Sequence, residues 1–475
     1  MNRKPYPEYK DSGVPWLGEL PEHWEVKKLK NLFRCFGGGT PSKSNAAFWE
    51  GDIPWVSPKD MHGKTISDTE DHISENAIVE SATQIVPTGS TLIVVRSGIL
   101  KHTLPVATNL IPVALNQDMK ALVSNGAMKN VYLTYYIQGH NKSLLDAWTK
   151  NGCTVESVES ASMLGALVPV PPLPEQSAIA DFLDRETGRI DTLVVKKRRL
   201  VELLKEKRTA LISRTVTRGL PEAAARKFGF EPHTRFKDSG IEWLGEVPEG
   251  WQTPPLYARY SVELGKMLNE SRITGNHLIS YLRNVDVQWD SINFDDLPEM
   301  DISESEYQRY TLQKGDLLVC EGGEVGRAAI VGEMSSLIGY QKALHRMRTI
   351  RSAEVARFMF YTLFWATKTG VFNAGGTSTI AHLTGEQLRK YRFPTPPLSE
   401  QTAIAAYLDR ETSKIDQLVA KVEAVIVRLQ EYRTALITAA VTGKIDVRAY
   451  RHAGGACPRP RSGNGSPEEV ASVLA

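Results

Sequence analysis

Four short stretches of the chain carry residue types that could do chemistry. Gly63-Lys64-Thr65 has the ending of a nucleotide-binding P-loop, in which backbone N–H groups cradle phosphates and the lysine reaches them. Pro58 stands where that loop needs its first glycine, so the tripeptide reads as a turn. "EGGEVGR", Glu321 to Arg327, either holds a phosphate on successive backbone N–H groups or is a tight turn that glycine permits after a strand. Asp118-Met119-Lys120 is a fragment of a nuclease pattern without the rest. Lys196-Lys197-Arg198-Arg199 is either a solvated helix face or a contact to nucleic acid or an acidic partner. There is no D/N-P-P-Y/F/W methyltransferase motif, no G-x-G-x-x-G and no H-E-x-x-H. The 10 histidines form no ligand pattern. Cys35, Cys153, Cys320 and Cys457 are far apart and none sits in a C-x-x-C, which argues against a zinc site or a disulfide framework. The chain is therefore expected to hold no catalytic, cofactor-binding or metal-binding residues.

The elements that would position such residues come in two copies. "YKDSGVPWLGELPEHW" (Tyr9 to Trp24) returns as "FKDSGIEWLGEVPEGW" (Phe236 to Trp251). "PPLPEQSAIADFLDRETGRIDTLV" from Pro171 returns as "PPLSEQTAIAAYLDRETSKIDQLV" from Pro396. The period is that of a whole domain with its connector, too long for a solenoid repeat. At 475 residues the chain has room for two or more domains. With 41% hydrophobic and 24% charged residues it has the composition of a soluble globular protein. Its net charge of +2 neither demands nor excludes nucleic acid. No apolar run reaches the ~18 residues of a membrane span, and "MNRKPYPEYK" lacks the apolar core of a signal peptide. A cytoplasmic location away from membranes is expected.

Each "PPL-EQ" segment opens a long helix, with Pro or Ser and then an acid in the first turn. Leu183, Ile190, Lys197, Leu204 and Leu211 occupy one heptad position, with Leu193, Leu200 and Lys207 on the other. The second copy gives Leu408, Ile415, Val422, Leu429 and Leu436, with Leu418, Val425 and Tyr432. A break is expected at "ETGRID" and "ETSKID", where Ser413 and Asp416 have the spacing of a fresh N-cap. Each helix should then span ~40–60 Å at 1.5 Å per residue. The economical partner for each seam is the other copy, and equivalence of the halves favours an antiparallel pair. The tryptophans of the repeated marker read as anchors that dock each domain against a helix end.

Between marker and helix the copies differ. Both show short β-rich runs, such as "TLIVV" and "DLLVC", one helical stretch, a Gly-rich turn and a stiff Pro-rich connector. Two domains alike in punctuation and unlike in detail suggest two different readings by one frame.

The duplicated layout resembles the specificity subunits of type I restriction–modification systems. So do "GGTPSKSNAAFWEGDIPWVSPKDM", "LRNVDVQWD", "GDLLVCEGGEVGRAAIV" and "PPLPEQSAIADFLD", and the likeness runs from about Tyr6 to Val447. The resemblance implies an α+β fold with two target recognition domains in tandem pseudo-two-fold repeat, separated by an antiparallel pair of long coiled-coil helices. The chain is expected to divide into a first recognition domain with its marker (1–173), a first helical spacer (174–220), a second recognition domain (221–397) and a second spacer (398–446); the Gly/Pro/Ser-rich tail (447–475) departs from the family and is expected to be disordered. The resemblance implies that each domain reads one half of a bipartite, asymmetric site in double-stranded DNA. Two methyltransferase subunits would dock on the helices and restriction–translocase subunits would complete the enzyme. S-adenosylmethionine, ATP and Mg would belong to those partners.

Residues that could contact DNA are the polar and basic ones of the variable loops. In the first domain these are Ser57, Lys59, Arg96, Ser97, Lys101 and Gln117. In the second they are Arg283, Asn284, Arg327, Gln341 and Lys342. Arginine forks to guanine and Asn or Gln to adenine, whereas Lys and Ser more often hold phosphate. Two rival readings are a helical scaffold that recruits partners without reading DNA, and a stand-alone nuclease or methyltransferase, which the missing motifs disfavour.

Overall fold

The computed structural model describes residues 5–149, 156–268, 275–350, 354–373 and 382–448. The chain forms two compact units: Met1–Lys196 with Val425–Ala475, and Lys197–Ala424. Four helices organise them: α1 (Asn130–Gly139), α2 (Leu173–Arg218), α3 (Ala356–Lys368) and α4 (Leu398–Val441).

The two sheets that carry the candidate loops of the first unit include the strands β1 (Phe33–Gly37), β2 (Ile53–Val56), β3 (Thr65–Ile66), β4 (Thr91–Val94), β5 (Val106–Asn109), β6 (Ala114–Leu115) and β7 (Met119–Ser124). One sheet has the order β1-β7-β4-β5-β3. A second pairs β6 with β2 in parallel, and β2 with His72–Ile73 antiparallel. Every residue of β4 is buried, as a continuous apolar run requires when both faces are covered. Helix α1 ties onto the sheet where Thr134 Oγ1 meets Thr91 Oγ1 at 3.3 Å and Thr108 Oγ1 at 3.0 Å.

The second unit repeats the plan with β8 (Tyr260–Leu264), β9 (Leu278–Leu282), β10 (Leu317–Cys320), β11 (Ala328–Ile330), β12 (Gly339–Tyr340) and β13 (Leu344–Thr349). Its main sheet runs β8-β13-β10-β11, and β12 pairs with β9 in parallel. Helix α3 is buried at nine successive positions, Phe358 to Ala366.

Each unit also contains parts of both long helices, running in opposite directions. In the first, Trp24 lies near both Gly443, at the end of α4, and Glu175, at the start of α2. Further along, Arg433 Nε donates to Asp191 at 2.9 Å, and Ile190 and Val194 share a core with Leu436 and Ile437. In the second unit Gly219 lies beside Glu400, and Arg208 pairs with Asp416 at 3.0 Å. The expected antiparallel pairing is thus present in each unit.

The expected break is absent. Helix α2 is continuous for 46 residues and α4 for 44, about 65–70 Å each and longer than expected. Thr187 and Thr412 bond back to the carbonyls of Leu183 and Leu408, at 2.6 and 2.7 Å, and so stay inside the helix. The second seam position is also one residue away from its expected place. Leu193, Leu200, Leu418, Val425 and Tyr432 are 38–51% exposed. Val194 and Val201 are buried instead, and Val419, Ile426 and Arg433 are half-buried. Adjacent apolar pairs such as Leu193-Val194 fit either a 3- or a 4-residue step, and the partner decides between them.

Helix α4 ends at Val441 rather than 446, and the expected tail boundary at 447 falls inside ordered core, because Ile445 and Val447 are buried against the first unit. The remainder of that tail, with Cys457, lies outside the described residues, as do Cys153 with half of the first Gly-rich turn and most of the second. Cys35 is half-buried and Cys320 buried, both as free thiols.

Candidate nucleic-acid interface

The two units share a loop frame that their sequences do not reveal. In the first, β2 runs parallel to β6 with Val56 opposite Leu115. In the second, β9 runs parallel to β12 with Leu282 opposite Tyr340. Each of β2 and β9 leads into a short 3-10 turn, Pro58–Asp60 or Asn284–Asp286. Both turns are capped by an aspartate three residues on: Ser57 N–H donates to Asp60 at 2.8 Å, and Arg283 N–H to Asp286 at 2.7 Å. A glycine passes close beside each pair. A Cβ on Gly38 would lie 1.9 Å from the Asn116 carbonyl oxygen, and one on Gly265 would lie 2.3 Å from that of Gln341. Ser57 to Asp60 therefore corresponds to Arg283 to Asp286, and Asn116-Gln117 to Gln341-Lys342.

The candidates in the first unit fall into two groups. Ser57 is 6% exposed and its hydroxyl donates to Asp60 at 2.9 Å, so it holds the turn. Lys59 projects from the turn and pairs with Glu70 and Asp71, both at 2.9 Å. Hydrogen bonds to Asp71 and then Glu70 raise its pKa above the ordinary lysine value. Gln117 is exposed and accepts a hydrogen bond from the Thr40 hydroxyl. Arg96 joins this group because its Nε donates to Asp118 at 2.6 Å. Ser97 and Lys101 lie on the next turn: Ser97 caps Gly98–Lys101, and Lys101 is exposed with no ion pair among the described residues.

In the second unit the candidates converge. Arg283 donates to both oxygens of Asp286, at 2.8 and 2.9 Å. Burial pushes the Asp286 carboxyl up, but the bonds and charge of Arg283 outweigh it and hold the group below the usual carboxylate range. Arg327 donates to the side-chain and backbone oxygens of Asn284, at 2.8 and 2.9 Å, and Asn284 in turn donates to Gly322 O at 3.0 Å. Gln341 is half-buried, its N–H donating to Leu282 O at 3.0 Å. Lys342 is exposed, with no ion pair among the described residues.

The chemical fragments become ordinary structure. Lys64 pairs with Asp184 and contacts the Tyr135 hydroxyl. In "EGGEVGR" the N–H groups of Gly326 and Arg327 are spent on Cys320 O and Glu324 O, both at 3.0 Å, which favours the tight turn over a phosphate cradle. Among the described residues no group of three or more His, Cys, Asp or Glu could hold a metal ion, and no helix is long and apolar enough to cross a membrane.

The repeated marker has a defined role at the start of each long helix. Trp24 Nε1 donates to Glu175 at 3.1 Å and Trp251 Nε1 to Glu400 at 2.9 Å, both acceptors being the glutamate of a "PPL-EQ" segment. His23 and His233 reach the same carboxylates at 2.9 and 2.6 Å. The next residue ties the helix to its domain: Gln176 accepts from Lys129 N–H at 2.7 Å and Gln401 from Val355 N–H at 3.0 Å. Asp184 accepts from Tyr135 at 2.6 Å, and Asp409 from Tyr361 at 2.7 Å. The tryptophans were legible as anchors at a helix end; their glutamate acceptors and the Gln and Asp ties were not, although their identity in both copies was the signal.

Comparison with known proteins gives the family and the fold. The family model described as "Type I restriction modification DNA specificity domain" matches twice, at residues 21–202 and 262–426. The specificity subunit of the Escherichia coli type I restriction enzyme EcoR124I/EcoR124II is 39% identical over 187 residues, 39% of this chain and 45% of its own. The MjaIX specificity subunit of Methanocaldococcus jannaschii is 28% identical over 265 residues, 54% of this chain and 56% of its own. The chain thus matches about half the length of these two relatives. A solved structure described as the basis of complex assembly and conformational transition of the type I R-M system shares the fold, with a TM-score of 0.62 and 16% identity over 90% of this chain and 99% of that one.

Proposed function

Since the chain belongs to the type I restriction modification DNA specificity family, we propose that it is the non-catalytic DNA-reading subunit of such a system. Each unit reads one half of a bipartite, asymmetric target in double-stranded DNA. The observation that carries this reading is the loop frame built twice with different side chains: one backbone scaffold, two chemistries. Lys59, Gln117 and Lys101 in the first unit and Lys342 in the second are the exposed residues best placed to meet DNA, with the Arg283–Asn284–Arg327 group holding the second unit's turn in shape. Ser57, buried and bonded to Asp60, holds the turn.

The long helices carry two methyltransferase subunits and set the spacing of the half-sites. The exposed apolar residues that the helix seam leaves out support this. The first unit exposes Leu193 and Val425, and the second Leu200, Leu203 and Leu418. Restriction–translocase subunits complete the assembly, and S-adenosylmethionine, ATP and Mg serve those partners. The test is to express the chain with its methyltransferase partner and map methylated bases across a genome. A two-part motif of fixed spacing is expected. Methylation without sequence preference would overturn the reading in favour of a scaffold.

A further inference from the structure

Of the four residues in the second unit's capped turn, three are committed to the fold. Arg283 is held by Asp286, Asp286 is 3% exposed, and Asn284 is tied to Arg327 and Gly322. Val285 remains, 67% exposed at the middle of the turn. Its side chain gains little from burial there, and a β-branched residue is not favoured by a helical turn. The corresponding turn of the first unit presents Lys59, while Ser57 and Asp60 bond each other. The middle residue is thus the one each turn offers outward, with a cation in one unit and an isopropyl group in the other.

The neighbouring strand end repeats the contrast. Lys266 N–H donates to Tyr340 O and Lys342 N–H to Lys266 O, both at 3.0 Å, so Met267 follows directly beside Lys342 and is 64% exposed. The matching residue beside Gln117 is Thr40. The second unit therefore presents two exposed apolar side chains, Val285 on the turn and Met267 beside Lys342, at positions where the first unit is polar.

Resting on the DNA-reading function proposed above, we propose that Val285 is a specificity-determining residue that packs against the 5-methyl group of a thymine in the half-site read by the second unit. That methyl is the apolar feature a base pair shows in the major groove, and Lys342 supplies the charge that holds the adjacent backbone.

The test uses the full chain assembled with its methyltransferase partner. The target is mapped first, and the half-site that changes on exchanging the second domain is assigned to it. Each thymine of that half-site is then replaced by deoxyuridine, which lacks only the methyl. One replacement is expected to weaken binding roughly fourfold, the worth of one methyl-sized apolar contact. Val285→Ala should weaken binding to the thymine duplex by about as much and remove the sensitivity to deoxyuridine, with the first half-site unaffected. The proposal is overturned by a half-site that specifies no A·T pair, by indifference of the parent complex to every replacement, or by full sensitivity in the variant. A parent complex with no preference for its target over scrambled DNA would refute the DNA-reading function as well, so the two failures are distinguishable.

Discussion

Trp24 donates its indole N–H to the buried carboxylate of Glu175 at 3.1 Å, and Trp251 does the same to Glu400 at 2.9 Å. A marker near the start of each half is thereby pinned to the first turn of that half's long helix. Trp24→Phe keeps most of the apolar surface and removes the donor. A hydrogen bond to a charged acceptor contributes about 1.5–3 kcal/mol, so the first unit should lose about 2 kcal/mol and the second almost nothing. Trp251→Phe should show the reverse. Hydrogen exchange read separately in the two units, across a urea series, checks this; equal effects of one variant on both units would contradict it.

The seam of α2 is a choice between adjacent residues. Val201 is buried and Leu200 is 38% exposed. Val201→Ala should cost about 1–2 kcal/mol, and Leu200→Ala less than about 0.5 kcal/mol. Leu200→Ala should instead weaken capture of the methyltransferase subunit. Chemical denaturation and a co-purification assay separate the two.

His140 is buried at the end of α1 beside Tyr136 and Trp16. Burial lowers its pKa to about 4; the bond to the Tyr136 carbonyl opposes this and the charge of Lys444 adds to it. The folded state therefore holds the ring neutral. Its contribution is complete above the unfolded pKa of about 6.5 and is lost as pH falls toward 4, because the unfolded chain then binds more protons. The first unit should lose on the order of 2 kcal/mol between pH 7 and pH 5 from this group. His140→Gln should lose less over the same interval, measured by urea midpoints at the two pH values.

If the helices set half-site spacing, lengthening both should lengthen the spacer. Four residues inserted after Arg199 and after the equivalent Ala424 add about 6 Å. DNA rises 3.4 Å per base pair, so the spacer should grow by one or two base pairs with both half-sites unchanged. Mapping the sites that remain methylated reads the result. An unchanged spacer at full activity would mean that something else fixes the distance.

The sequence made the repeat, the helix starts and the anchoring tryptophans legible, because each is a local pattern stated twice. Continuity of α2 and α4 was not, because Ser413 and Asp416 have N-cap spacing whether or not the helix runs through, and the back-bonds of Thr187 and Thr412 that keep it running appear only in the fold. The loop frame was hidden for another reason. Ser57 and Arg283 occupy one structural position with unrelated side chains, and only Asp60 and Asp286 mark the shared turn. The candidate residues were chosen by type alone, and Arg96–Asp118 and Arg327–Asn284 are pairings that tertiary contact creates.

The central claim is that two separate readers share one chain, and a domain exchange tests it most directly. Residues 39–167 are replaced by the matching segment of another specificity subunit, leaving Gly38, both markers and both helices intact, and methylated sites are mapped in cells carrying the complete system. The account predicts that one half of the motif changes while the other half and the spacer stay the same. A change in both halves, or in neither, would contradict it.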